Sequence, residues 1–348
     1  MLAVAGLSSA HAQLLPAPAP TPTPSLTIIS SEISAAAATG NLGSGFLERL
    51  GNQATNGVNR IGRTNPGGGG ASEAAEAPKF RAWGEAYGIS ARTELQGDFA
   101  GDRRTTRGGV AGIGATIASG VNVGFSVDQS GSKIDVPLAF QSATLDLTQL
   151  GANFSVDNGP WTVAGAVVHG FGQINSSRDT GAGFATAGYR AVIDGVLTEL
   201  DYYWMRDQSR IVPKIAFEYV RSATESFTEA GTNFFLVSAT GATAERARIL
   251  AGAEIGHYWI FDQKILDLSA YGKFIDNVVQ NFGAVTVSIP GFQSISVQGV
   301  GESRYGADAG TAASLSLSNS FRLYAHYDGK FRAAYQSHQG TVGLELKW

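Results

Sequence analysis

The chain has 348 residues, 43% of them hydrophobic and 16% charged, with 45 glycines and a formal net charge of −4; soluble proteins usually carry roughly 25% charged residues and roughly 7% glycine. Zero cysteine excludes disulfides, a thiolate zinc site and a cysteine nucleophile, and the slight acidity leaves no electrostatic footprint for nucleic acid. No run of 18 apolar residues occurs, so a membrane could be met only by strands.

Residues 1–12 hold an apolar run, Leu2 to Leu7, followed by Ala10-His11-Ala12. That predicts a signal peptide cut before Gln13, and its missing basic n-region is what a start placed too late would leave. Residues 13–44 read as a linker or vestigial passenger, first a stiff Pro16 to Pro24 proline-threonine spacer, then an alanine-rich stretch. Over 45–61, Phe46, Leu47, Leu50, Ala54, Val58 and Ile61 recur at helical spacing, although Gly51 and Gly57 weaken the helix. Residues 62–79 are a glycine-rich link.

From Phe80 onward the periodicity changes to apolar/polar alternation in twelve long runs, near 80–90, 105–118, 120–132, 142–157, 160–175, 187–204, 209–222, 245–259, 264–278, 303–317, 320–328 and 339–348. Connections after odd-numbered runs read as long, after even-numbered runs as tight, for example Ser119-Gly120 and Ser318-Asn319. An even number of long strands with tight turns at one end is the pattern of an outer-membrane barrel, and closure removes the two edges that would template aggregation. The expected fold is therefore all-β, a twelve-stranded antiparallel transmembrane β-barrel. Twelve strands enclose more space than side chains fill, so the apolar phase, such as Val342, Leu344, Leu346 and Trp348, is assigned to lipid. Tyr202, Tyr203, Trp204, Tyr258, Trp259 and Phe261 read as an interfacial girdle.

The stretches Trp83 to Gly88 (WGEAYG), Arg103 to Ser130, and Glu218 to Gly231 (EYVRSATESFTEAG), together with the aromatic carboxy terminus, resemble the autotransporter translocator domains of Gram-negative outer membranes. The resemblance covers residues 80–348. It implies a helix threaded through the pore, here 45–61 with Phe46, Glu48, Arg49, Asn52, Asn56 and Arg60; a surface helix or plain linker is the alternative, since a free helix of this length is marginal in water. It also implies that the last strand, through Gly343, Leu344, Leu346 and Trp348, is read by the barrel-assembly machinery. Unlike the family, the chain shows no globular passenger ahead of the barrel, and with no adjacent asparagine pair in the helix no self-cleavage is expected.

No Gly-x-Ser-x-Gly, His-Glu-x-x-His or Walker motif is present. The pair His326 and Asp328 lacks a nucleophile nearby in sequence, and His169 and His257 stand alone, so no catalytic residue, metal or cofactor is expected. Glu85, Arg107, Glu199, Asp201, Lys214, Glu218, Arg246, Arg248, Glu254, Lys273 and Arg322 read as lumen charges able to pair with the helix or tune ion passage. The expected protein is an outer-membrane translocator that passes or displays its own amino-terminal segment and does no covalent chemistry. Its long loops would be extracellular and both ends of its barrel periplasmic, with outer-membrane lipid, the assembly machinery and the Sec translocon as partners. A stand-alone porin-like channel plugged by the helix, or an adhesin using its long loops, are the alternatives.

Overall fold

The computed structural model describes residues 27–55, 79–97, 99–231, 235–262 and 264–348. Twelve long strands form the wall: β1 Phe80–Thr93, β2 Asp102–Ala118, β3 Val121–Val136, β4 Gln141–Asn158, β5 Trp161–Asp179 and β6 Phe184–Tyr202. They continue as β7 Ser209–Thr224, β8 Thr243–Phe261, β9 Lys264–Phe282, β10 Tyr305–Ser316, β11 Phe321–Arg332 and β12 Tyr335–Lys347. Each pairs antiparallel with its sequence neighbour, and β1 pairs with β12 from Arg81↔Lys347 to Thr93↔Tyr335, which closes the barrel.

The alternation has the phase expected of a wall solvated by lipid outside and filled with polar groups inside. Val342, Leu344 and Leu346 are 61%, 44% and 45% exposed, whereas Asp128, Glu218, Arg248 and Glu345 are buried. The outward apolar residues form a belt at the short-turn end. On β3 the outward sequence is Val121, Val123, Phe125 and Val127, then Gln129, Lys133 and Asp135; on β4 it is Val156, Phe154, Ala152 and Leu150, then Thr148, Asp146 and Thr144. Such a belt spans about 25 Å in tilted barrel strands. Beyond it the strands carry a polar outer face, so they project past the bilayer.

Three expectations are corrected. First, the connections after β3, β5 and β11 are short, Pro137–Phe140, Thr180–Gly183 and Ala333-Ala334. The strands run on past the glycines and polar residues that looked like loop, because in a projecting wall both faces of a strand can be polar. The connection after β1, residues 94–101, is of intermediate length, and the two longest, after β7 and β9, fold on each other. Strand segments Ile295–Gln298, Ala284–Ser288, Ser238–Ala239 and Phe227–Thr228 form a small four-stranded sheet in that order.

Second, Tyr203 and Tyr258 of the supposed girdle point inward and are buried, whereas Trp204, Trp259 and Phe261 stay outside. The Tyr203 hydroxyl donates to the Thr55 carbonyl at 3.0 Å, a polar end that lipid could not satisfy.

Third, the described part of the helix α1 spans Ser30–Thr55, so the helix begins well ahead of the expected start at 45. The alanine-rich stretch assigned to a linker is its first half, since alanine is the best helix former and the wall supplies packing that a solvated helix would lack. Residues 1–12, expected as a signal peptide, the spacer, Asn56, Val58, Arg60, Ile61 and nearly all of the 62–79 link lie outside the described residues.

Candidate functional site

α1 lies inside the barrel against β3 to β7. Phe46, Leu47 and Leu50 are fully buried and join Leu145, Leu147, Ile193 and Leu197 of the wall in one apolar cluster. Glycines set the close approach. A Cβ at Gly51 of the helix would stand 2.6 Å from Leu197 Cδ2, and one at Gly151 of β4 would press on Leu50 and reach Phe46 at 3.0 Å. Gly51, which counted against a helix in sequence, is thus where helix and wall fit together.

The direction of α1 is unambiguous. Its first turn meets the long-loop end: Ser31 N–H donates to Gln141 Oε1 at 2.8 Å, and Ile29 and Ile33 share an apolar cluster with Val285, Val287 and Val297 of the loop sheet, with Val237 beside it and with Phe99 of the connection after β1. Its last turn meets the short-turn end through Tyr203. The long loops therefore cap the helix amino terminus with an apolar collar.

Across the middle of the lumen the helix is held by charge. Glu48 accepts from Arg248 at 2.5 Å and Lys330 at 2.6 Å, with Lys273 at 3.7 Å. Arg248 also forks onto Glu218 at 2.8 and 2.9 Å. One residue on, Arg49 pairs with Glu85 at 2.8 Å and Asp128 at 3.4 Å and lies over the Tyr87 ring at 4.1 Å. Gln53 donates to Glu85 at 2.9 Å and receives Arg81 on its side-chain and backbone oxygens at 3.2 and 2.6 Å. Buried charges are costly unless paired, and here positive and negative groups of helix and wall are matched one against another.

Toward the loop end Arg246 donates to Asn41, to Ser44 and to Glu302 at 2.9, 2.6 and 2.9 Å. Glu302 sits on the connection after β9. Burial raises the cost of its charge, but the guanidiniums of Arg246 and Arg332 hold the carboxyl below its ordinary range. On the β7 to β12 side the helix leaves a cavity of about 130 Å³ lined by Arg49, Asn52, Arg210, Lys214, Asp267 and Tyr324 among others.

Of the predicted lumen charges, Glu85, Glu218, Arg246, Arg248, Glu254, Lys273 and Arg322 do face the interior, as do Glu199, Asp201 and Lys214. Arg107 does not: it is on the outer face of β2 and exposed. The alternation on β2 places Val110 and Thr106 inside and hence Arg107 outside. The sequence reading missed Lys330, Arg332, Asp128 and Arg81. Lys330 and Arg332 continue the phase of Arg322, Tyr324, His326 and Asp328 beyond Gly329, where the run was ended too soon.

Gly343 faces inward, and a Cβ there would strike the Tyr324 ring, whose hydroxyl donates to Glu85 at 3.0 Å. Leu344, Leu346 and Trp348 face outward, with Trp348 stacked on Phe80 at 6.3 Å. His326 and Asp328 are not an acid-base pair: Asp328 accepts from Tyr271 at 2.6 Å, and His326 stacks on Tyr324. His169 bonds Asp194 on the exposed outer wall, and His257 bonds Ser209. Among the described residues no three His, Asp or Glu side chains are grouped to hold a metal ion.

The profile of the autotransporter beta-domain family matches residues 82–328. Among solved structures the chain is similar to the translocator domain of the autotransporter NalP from Neisseria meningitidis, with 16% identity and a TM-score of 0.69 over 92% of this chain and 99% of that one. It is also similar to the beta domain of the Bordetella autotransporter BrkA, with 14% identity and a TM-score of 0.59 over 78% of this chain and 100% of that one. No curated protein matches the sequence.

Proposed function

Since the chain belongs to the autotransporter beta-domain family and forms an outer-membrane barrel, we propose that it translocates its own amino-terminal segment to the cell surface and remains there as a barrel closed by α1. The observation that carries this reading is the direction of the helix. It enters the lumen from Thr55 at the short-turn end, next to which β1 begins, and its amino terminus reaches the loop end at Ile29. Whatever precedes residue 27 is then delivered beyond the loops. In this reading the long loops are extracellular and both ends of the barrel face the periplasm.

The protein does no covalent chemistry in this account. The lumen carboxylates that an acid or base would require are engaged: Glu218 and Glu48 with Arg248, Glu85 with Arg49, Glu345 with Arg322. Binding of the assembly machinery would fall to β12, whose outward Leu344, Leu346 and Trp348 end the chain; loss of Trp348 is expected to lower the amount of assembled barrel without altering a barrel refolded in detergent.

Single-channel recording tests the closure. The full chain is expected to conduct poorly, and removal of residues 13–79 to raise conductance several-fold. Equal conductance would mean that no helix occupies the lumen.

A further inference from the structure

Arg107, displaced from the lumen, belongs to a cationic patch on the outer wall. We propose that the outer face of β1 to β3, just beyond the apolar belt, binds the phosphate groups of an outer-leaflet lipid. Arg92 and Arg103 are direct cross-strand partners, both exposed, a like-charge juxtaposition that is unfavourable without an anion. Nearer the belt, Arg107 is flanked in register by Gly88 on β1 and Gly131 on β3. A Cβ at Gly88 would meet only the Thr106 carbonyl at 4.0 Å, so the wall beside the Arg107 guanidinium is an open dent.

The row between Arg107 and the arginine pair is Ser90, Thr105 and Lys133. Two hydroxyl donors are therefore framed by four cations. Acidic groups stay at the rim: Glu94 reaches Arg92 at 3.2 Å, Asp135 is next to Arg103 in register, and Asp146 borders Gly131. Among the described residues, Arg103, Arg107 and Lys133 have no ion-pair partner. Of the exposed arginines elsewhere, Arg221 has Glu245 at 3.3 Å and Arg304 has Asp276 at 3.1 Å, whereas Arg190 and Arg206 stand singly and apart from other cations.

Position selects the ligand. Immediately toward the short turns the same outer face is Gly109, Ala111 and Ile113 on β2 and Val127 and Phe125 on β3. The cations thus stand at the height where acyl chains give way to headgroups. Guanidiniums there can fork onto phosphate oxygens, while Ser90 and Thr105 donate to the same anion. A lipid bearing more than one phosphate fits four cations better than a zwitterionic one.

This assignment to the outer leaflet rests on the orientation proposed above. The test uses the folded full chain in non-ionic detergent and native mass spectrometry. Its probes are a glycolipid carrying two phosphate monoesters, the same glycolipid with both phosphates removed, and phosphatidylethanolamine. The first is expected to stay bound and the other two to be lost. The combined variant Arg103→Gln, Arg107→Gln, Lys133→Gln should weaken binding by about tenfold or more; Arg103→Lys with Arg107→Lys should retain most of it, and Arg221→Gln all of it. Equal retention of the dephosphorylated lipid, or undiminished binding by the triple variant, overturns the site. Orientation is read independently from surface labelling of the 225–242 loop: binding together with a loop labelled only in broken cells would overturn the outer-leaflet assignment alone, whereas outside labelling without binding would overturn the site alone.

Discussion

At the scale of single residues, Glu48 holds the helix to the far side of the lumen. Its carboxylate faces Arg248, Lys330 and Lys273, and without it two of those three cations keep no partner on α1 or within the cluster. Removing one member of a buried pair costs about 3–5 kcal/mol. Glu48→Gln is therefore expected to increase open-channel events in planar bilayers by a large factor while the barrel stays folded, and Glu48→Asp to lie between the two; unchanged closure would show that apolar packing alone seats the helix. Glu302 gives a pH dependence. Its folded carboxyl titrates below its ordinary value because of Arg246 and Arg332, so the stabilisation is present above the unfolded pKa, about 4.3, and is lost as pH falls through the lower folded value. Proteolysis of the 283–304 connection should rise below about pH 4 in the native chain and should lose that pH step in Glu302→Gln. These charges were partly legible in sequence. Alternation assigned Glu218, Arg248 and Lys273 to one face, but the partner of each depends on barrel register and on where the helix lies, which period 2 does not encode. Arg107 shows the converse: its charge suggested a lumen that its own strand phase denies.

At the scale of elements, the fit between α1 and the wall depends on glycines opposite large side chains. Gly151→Leu would drive a side chain into Leu50 and Phe46, and overpacking of this kind costs about 1–3 kcal/mol. The expected result is a less occluded pore for Gly151→Leu, with closure partly restored by adding Phe46→Ala; failure of the second change to help would mean that the helix does not lie on β4. The strands were legible because their alternation is long and regular. Their ends were not, since beyond the belt the outer face also becomes polar and the contrast that marks a strand fades, as at Lys133 and Asp135. The first half of α1 was hidden for a related reason. Ser30 to Thr39 is alanine- and serine-rich and shows no wide apolar stripe, yet Ile29 and Ile33 find an apolar collar that exists only once the two long loops have joined in one sheet.

At the scale of the whole molecule, the low charge and the surplus of glycine have one origin. Lipid replaces water around the lower wall, so few charges are needed outside, and the charges that remain are gathered in the lumen and on the projecting rim. Glycine serves the meeting of helix with wall as well as turns such as Gly120 and Gly159, whose φ values of 74° and 57° lie in the left-handed region. The direction of the helix through that wall is the claim on which the functional reading depends, and the absence of native cysteine makes one measurement decisive. Single cysteines are introduced as Ser25→Cys, ahead of the helix, and Asn319→Cys, in the turn between β10 and β11, and intact cells are treated with a membrane-impermeant maleimide. The account predicts labelling at residue 25 in intact cells and at residue 319 only after the outer membrane is broken; the reverse pattern would contradict it.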